Sequence, residues 1–212
     1  MILYDYWRSS AAYRVRIALN LKGLQAEHRF VHLRRGEQRA PAYRELNPQA
    51  LVPTLVVAER RIAQSLAIIE YLEERHPLPP LLPAGAEDRA WVRAIALAIA
   101  CDIHPLDNLR VLQYLENTLK VDAPTRDAWY AHWIREGFDA IEAQLASRPT
   151  ARYCFGDEPT LADVCLVPQV ANARRVKLDM APYPRIAAVN DACLAHPAFD
   201  AARPEKQPDA EL

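Results

Sequence analysis

Arg8, Ser9 and Ser10 stand between an apolar run, "MILYDYW", and an alanine-rich segment that opens at Ala11. At a strand-to-helix junction the free backbone N–H groups and the helix dipole favour an anion, and a serine hydroxyl can point at it. A serine there serves equally as an ordinary helix cap. Residues 8–23 contain no cysteine, histidine or acidic side chain, so catalysis at this junction needs a borrowed group.

Two other stretches carry comparable features. Val52–Pro53, just before a predicted strand, fits either a cis-proline turn that exposes the Val52 backbone to an extended peptide or an ordinary trans turn. Gln64 and Ser65 open another predicted helix, again as ligand donors or as caps. His28 and His32 share a strand face, but a metal site needs further ligands, so solvated histidines and no metal are expected. The 5 glycines are unclustered and form no G-x-G-x-x-G, G-x-x-x-x-G-K or G-x-S-x-G, which removes the usual support for nucleotide binding and a serine-hydrolase elbow.

The elements that must position these residues alternate in the first third. "MILYDYW" reads as a buried strand, residues 11–22 as a helix stopped by Gly23, and "AEHRFVHL" as a second strand. "TLVVA" and "RRIAQ" read as a hairpin around Glu59 and Arg60, followed by a helix over 66–75 that turns Ile68, Ile69 and Leu72 inward. The proline-rich "HPLPPLLPAG" at 76–85 is the one strong linker. Beyond it the pattern predicts helices at 88–119, kinked at Pro105, and at 124–146, 161–173 and 184–195. Thr160 and Asp163 fit a capping box at the start of the third. The expected fold class is α/β plus all-α, with an α/β domain over 1–82 and an all-helical domain over 88–212.

With 26 basic and 27 acidic side chains in 212 residues, no charge bias points to nucleic acid or an anionic membrane. The longest apolar stretch, at 94–103, is about half a membrane span, and no signal-peptide pattern opens the sequence. A cytoplasmic protein is expected. Cys101, Cys154, Cys165 and Cys193 are widely spaced, which predicts reduced, mostly buried thiols.

The order βαβ, V-P-T-L, ββα with Gln-Ser at the last helix start, then helices, resembles the glutathione transferases with their thioredoxin-like N-terminal half. The likeness is closer to the zeta class, the maleylacetoacetate isomerases, through "RSSAAYRVRIALNLKG", "LNPQALVPTL", "QSLAIIEYLEE", "CDIHPLDNLRVLQYL", "GDEPTLADVCLVPQVANARR" and "PYPRI". The resemblance implies glutathione as cofactor, with its thiol near Ser9 and Ser10, its γ-glutamyl end at Gln64 and Ser65, and its cysteinyl backbone at Val52. Gln38 is implied at the glycine end, or as an ordinary surface-loop residue.

The resemblance further implies that His104 and Asn108, one helical turn apart, face the site, or else stabilise the kink or cap a helix. A doubly anionic keto-acid substrate calls for cationic partners, and Arg8 and Arg175 are the candidates. Arg110 is a weaker one, because a simple helix turns it about 200° from Asn108. The implied reaction is thiolate addition to a cis double bond, rotation, and elimination to the trans product. A homodimer is expected. Ala11 stands where the family often has cysteine. Maleylpyruvate isomerisation, glutathione conjugation and a non-catalytic interaction module are the competing readings.

Overall fold

Alternation puts Leu3 and Asp5 on the buried face of β1 (Ile2–Asp5). A carboxylate is tolerated there because Arg16 from α1 (Ser10–Leu21) pairs with Asp5 at 2.8 Å. Burial opposes ionisation of Asp5, but His28 and Arg16 outweigh it and hold the carboxyl below its usual range. The chain leaves α1 through a Schellman turn, in which Gly23 at φ 62 lets Leu24 N–H reach Leu19 C=O at 2.9 Å.

This computed structural model describes residues 1–211. β1 pairs in parallel with β2 (Glu27–Phe30) and antiparallel with β3 (Thr54–Val57), which pairs with β4 (Arg60–Ala63) in the order β2-β1-β3-β4. Between β2 and β3 lie two 3₁₀ turns, Leu33–Arg35 and Glu37–Arg39, and the short α2 (Pro41–Leu46), none of which periodicity had signalled. α3 (Ser65–Arg75) follows β4 directly and buries Ile68, Ile69 and Leu72 as expected.

The helical part differs from expectation in one place that matters. The predicted helix over 88–119 is instead α4 (Ala86–Leu97), a π-helical stretch Ala98–Ile103, a run of turns, and α5 (Leu109–Asn117). Pro105 has no N–H to donate, and the chain widens before it, with His104 N–H reaching back to Ile99 C=O at 2.9 Å. α6 (Ala123–Ala146) approaches the π-helical stretch so closely that a Cβ at Gly137 would overlap Ile103. α7 (Leu161–Arg175) carries the expected Thr160–Asp163 capping box and is buried on nearly every side. α8 (Pro184–Leu194) and α9 (Pro197–Ala201) complete the helices.

Two compact units result, and their boundary is not the one expected. One is Met1–Leu81 together with the chain from Ala195 onward; the other is Leu82–Leu194. The domain expected over 88–212 therefore loses its last stretch to the α/β unit. The physical reason lies in donors on α1, one of them buried: buried Arg16 Nε bonds Ala202 O at 3.1 Å and Asn20 Nδ2 bonds Ala198 O at 2.9 Å. Among the described residues no helix is long and apolar enough to cross a membrane.

Candidate active site

Ser9 is the N-cap of α1, and its Oγ accepts from Ala12 N–H at 3.2 Å. The capping and ligand-binding roles are compatible. A hydroxyl that accepts one hydrogen bond keeps its O–H to donate, and here it does so at the positive end of a 12-residue helix. Ser10 is the first residue of α1 and is buried, while Arg8 is half-buried in the turn before it. Arg14, one turn further along, donates to Ser65 Oγ at 3.3 Å and so links the starts of α1 and α3.

Ser65 is buried at the head of α3. Gln64 before it is held at φ 72, ψ 121, a conformation costly for a residue with a side chain, and its amide donates to Gln49 Oε1 at 2.9 Å. The Val52–Pro53 bond is cis. Val52 N–H and C=O take no hydrogen bond among the described residues, while the Val52 side chain packs with Tyr6, Val31 and Tyr43. Gln38 is buried, so the surface-loop alternative does not hold, and its Oε1 has no hydrogen-bond partner among the described residues. Trp7 Nε1 is likewise buried and unpartnered. An open backbone edge, an orphaned acceptor and an orphaned donor fit an extended peptide ligand such as glutathione.

In the second unit, His104 and Asn108 are not on one helical turn. Leu106 and Asp107 N–H close three-residue-back bonds to Ile103 and His104 C=O at 3.1 and 3.2 Å, so 104–107 is a run of turns. Asn108 is extended and caps α5, its Oδ1 accepting from Arg110 N–H at 3.1 Å. The expected angular relation of Arg110 to Asn108 therefore has no basis, and Arg110 is exposed. Arg175, at the end of α7, is exposed but held, its Nη2 donating to Tyr130 Oη at 2.8 Å and Asn172 Oδ1 at 2.9 Å.

Asp107 lies in this run of turns. Its carboxyl is buried, neither oxygen closes a hydrogen bond among the described residues, and burial pushes its pKa up to about 8 against the weaker pull of Gln169 and Arg175. Sequence reading singled out neither Asp107 nor the holders Tyr130, Asn172 and Gln49. Only Asn172, three residues before Arg175 on one helix, had a local signal. His28 and His32, expected as solvated, pair with Asp5 and Glu211, each at 3.2 Å.

A thioredoxin-like sheet with an anion-favouring α1 start, joined to a helical unit, defines a glutathione transferase fold. The glutathione S-transferase N-terminal domain family matches residues 8–75 and its C-terminal domain family matches residues 123–192. The chain belongs to the glutathione S-transferase family. A probable maleylacetoacetate isomerase of Vibrio cholerae is 53% identical over 213 residues, covering 99% of this chain and 98% of that one. The holo structure of a maleylpyruvate isomerase, described as a bacterial zeta-class transferase, superposes with a TM-score of 0.98 at 51% identity and covers 100% of both chains. A maleylacetoacetate isomerase from Methylobacterium extorquens AM1, solved with bound malonate and glutathione, has a TM-score of 0.97 at 36% identity, with 100% of both chains covered.

Proposed function

We propose that this protein is a zeta-class glutathione-dependent cis–trans isomerase that converts maleylacetoacetate to fumarylacetoacetate in the breakdown of aromatic amino acids through homogentisate. The observation that carries the reading is Ser9: a hydroxyl with its acceptor side occupied by Ala12 N–H and its O–H left for an anion at a helix start. Bound glutathione supplies the thiolate that adds to the cis double bond and leaves once rotation has given the trans isomer. Ser9 donates to the sulfur and, with the α1 dipole, favours its ionised form. Ser10 supports that turn from inside the unit.

Gln64 and Ser65 hold the γ-glutamyl end, Val52 the cysteinyl backbone and Gln38 the glycine end. Arg8 and Arg175 pair with substrate carboxylates, where a guanidinium can bind bidentately. His104 and Asn108 offer polar contacts, and Arg110 is a third candidate cation. The departure at Ala11 leaves this scheme intact, since no protein thiol takes part. The protein acts in the cytoplasm as a homodimer, the commonest oligomer.

Maleylpyruvate is the second substrate to weigh, favoured by the 51% identity and 0.98 TM-score to a maleylpyruvate isomerase. The test is isomerisation of freshly generated maleylacetoacetate and of maleylpyruvate, each with catalytic glutathione and with free thiol assayed throughout. Rapid conversion of maleylacetoacetate with full thiol recovery supports the proposal. Preference for maleylpyruvate moves the assignment to the shorter acid, and thiol loss identifies a conjugating transferase.

A further inference from the structure

The turn that carries Ser9 is braced by residues from the opposite end of the sequence. Asp209 Oδ2 accepts from Trp7 N–H at 2.9 Å, across 202 positions. The carbonyl of the same residue accepts from Arg16 Nη2 at 3.0 Å, while Arg16 Nε reaches Ala202 O at 3.1 Å and Nη1 reaches Asp5 at 2.8 Å. Both peptide groups of Trp7 are therefore fixed. Ser9 follows two residues later, its own N–H donating to Tyr6 C=O at 2.9 Å.

Asp209 is not what keeps its own segment in place. On one side Gln207 Nε2 bonds Ala201 O at 3.1 Å and Arg203 O at 2.8 Å. On the other, Glu211 pairs with Arg35 at 2.6 Å and with His32 at 3.2 Å. With the segment anchored on both flanks, the contact with Trp7 acts on the turn. Its second oxygen, Oδ1, is buried and unpartnered among the described residues, so the carboxylate is committed to this one backbone donor.

We propose that Asp209 is a positioning residue for the thiol site: by holding Trp7 N–H it fixes the turn that aims the Ser9 hydroxyl at bound glutathione. This rests on the reading of Ser9 as the thiolate donor.

The test compares full-length Asp209→Ala, Asp209→Asn and Ser9→Ala by four measurements. These are hydrogen exchange at the Trp7 amide without ligand, titration of bound glutathione thiol by thiolate absorbance, thermal midpoint, and steady-state rates. Asp209→Ala is expected to speed Trp7 exchange, to move the thiol titration to higher pH, and to lower kcat at neutral pH by about three- to tenfold. KM for glutathione should stay within about twofold. Asp209→Asn keeps an acceptor and is expected within about twofold of the parent in kcat. If Asp209→Ala does not fold, Asp209→Glu, which displaces the acceptor by one methylene, carries the same expectations.

A lowered thermal midpoint with unchanged thiol titration and kcat overturns the proposal, as does Asp209→Asn behaving like Asp209→Ala. Thiol titration moved by Ser9→Ala but not by Asp209→Ala removes the positioning role alone. If neither moves it, the Ser9 reading fails as well.

Discussion

Arg175 Nη2 lies 2.8 Å from the Tyr130 hydroxyl, which holds an exposed guanidinium to the wall of its own unit. A long cationic side chain loses about 0.5–1.5 kcal/mol of rotamer freedom when a ligand immobilises it, and one already held loses less. Tyr130→Phe removes that hold and leaves the charge. KM for the dianionic substrate should rise about two- to fivefold with kcat little changed, whereas Arg175→Ala should raise it further. Steady-state kinetics on both variants test this. A raised KM in Arg175→Ala alone would mean that Asn172 suffices to place the guanidinium.

Gln64 sits at φ 72, where a residue with a Cβ is strained by about 1–3 kcal/mol. Gln64→Gly relieves that strain while deleting the amide that contacts Gln49 and is proposed to meet the γ-glutamyl end. The two effects should separate, with a thermal midpoint at or above the parent's and glutathione affinity about tenfold weaker by calorimetry. Unaltered affinity would remove Gln64 from the site.

Asp107 gives a pH dependence of defined sign. Its pKa is about 8 in the folded protein against 3.8 for an ordinary aspartate, so between those values the folded state holds a proton that the unfolded state has released. Its contribution is most favourable below the lower value, declines as pH rises, and is fully lost above the upper one. Asp107→Asn removes the titration, so its stability relative to the parent should improve from pH 5 to pH 8, by at most about 1.4 kcal/mol per pH unit. Urea unfolding across that range measures it. A constant difference would place the Asp107 titration elsewhere.

Features set by neighbours in sequence were legible. Gly23 ending α1, the Thr160–Asp163 box, the β3–β4 hairpin and the inward face of α3 each follow from local backbone needs. The hairpin turn falls at Ala58 and Glu59, one residue earlier than expected, because Val57 pairs with Arg60. The break after α4 was legible as Pro105 but not in form, since the π-helical stretch packs closely against Gly137 of another helix, a contact that local sequence does not display. In the candidate site, residue types at helix starts were readable, but the partners that aim them were not. Tyr130 holds Arg175 from another element, and Asp209 bonds Trp7 from a residue 202 positions away.

The return of the last helices onto α1 orders the making of the protein. During synthesis β1 and α1 emerge before the helical unit, yet Arg16 Nε and Asn20 Nδ2 find their carbonyl acceptors only when Ala202 and Ala198 have been added. The unit that contains β1 is thus finished only after the whole of the Leu82–Leu194 unit has been made. A chain cut short before Ala198 leaves those donors unmatched, so the Ser9 turn reaches its final form only once Ala198, Ala202 and Asp209 have all been added.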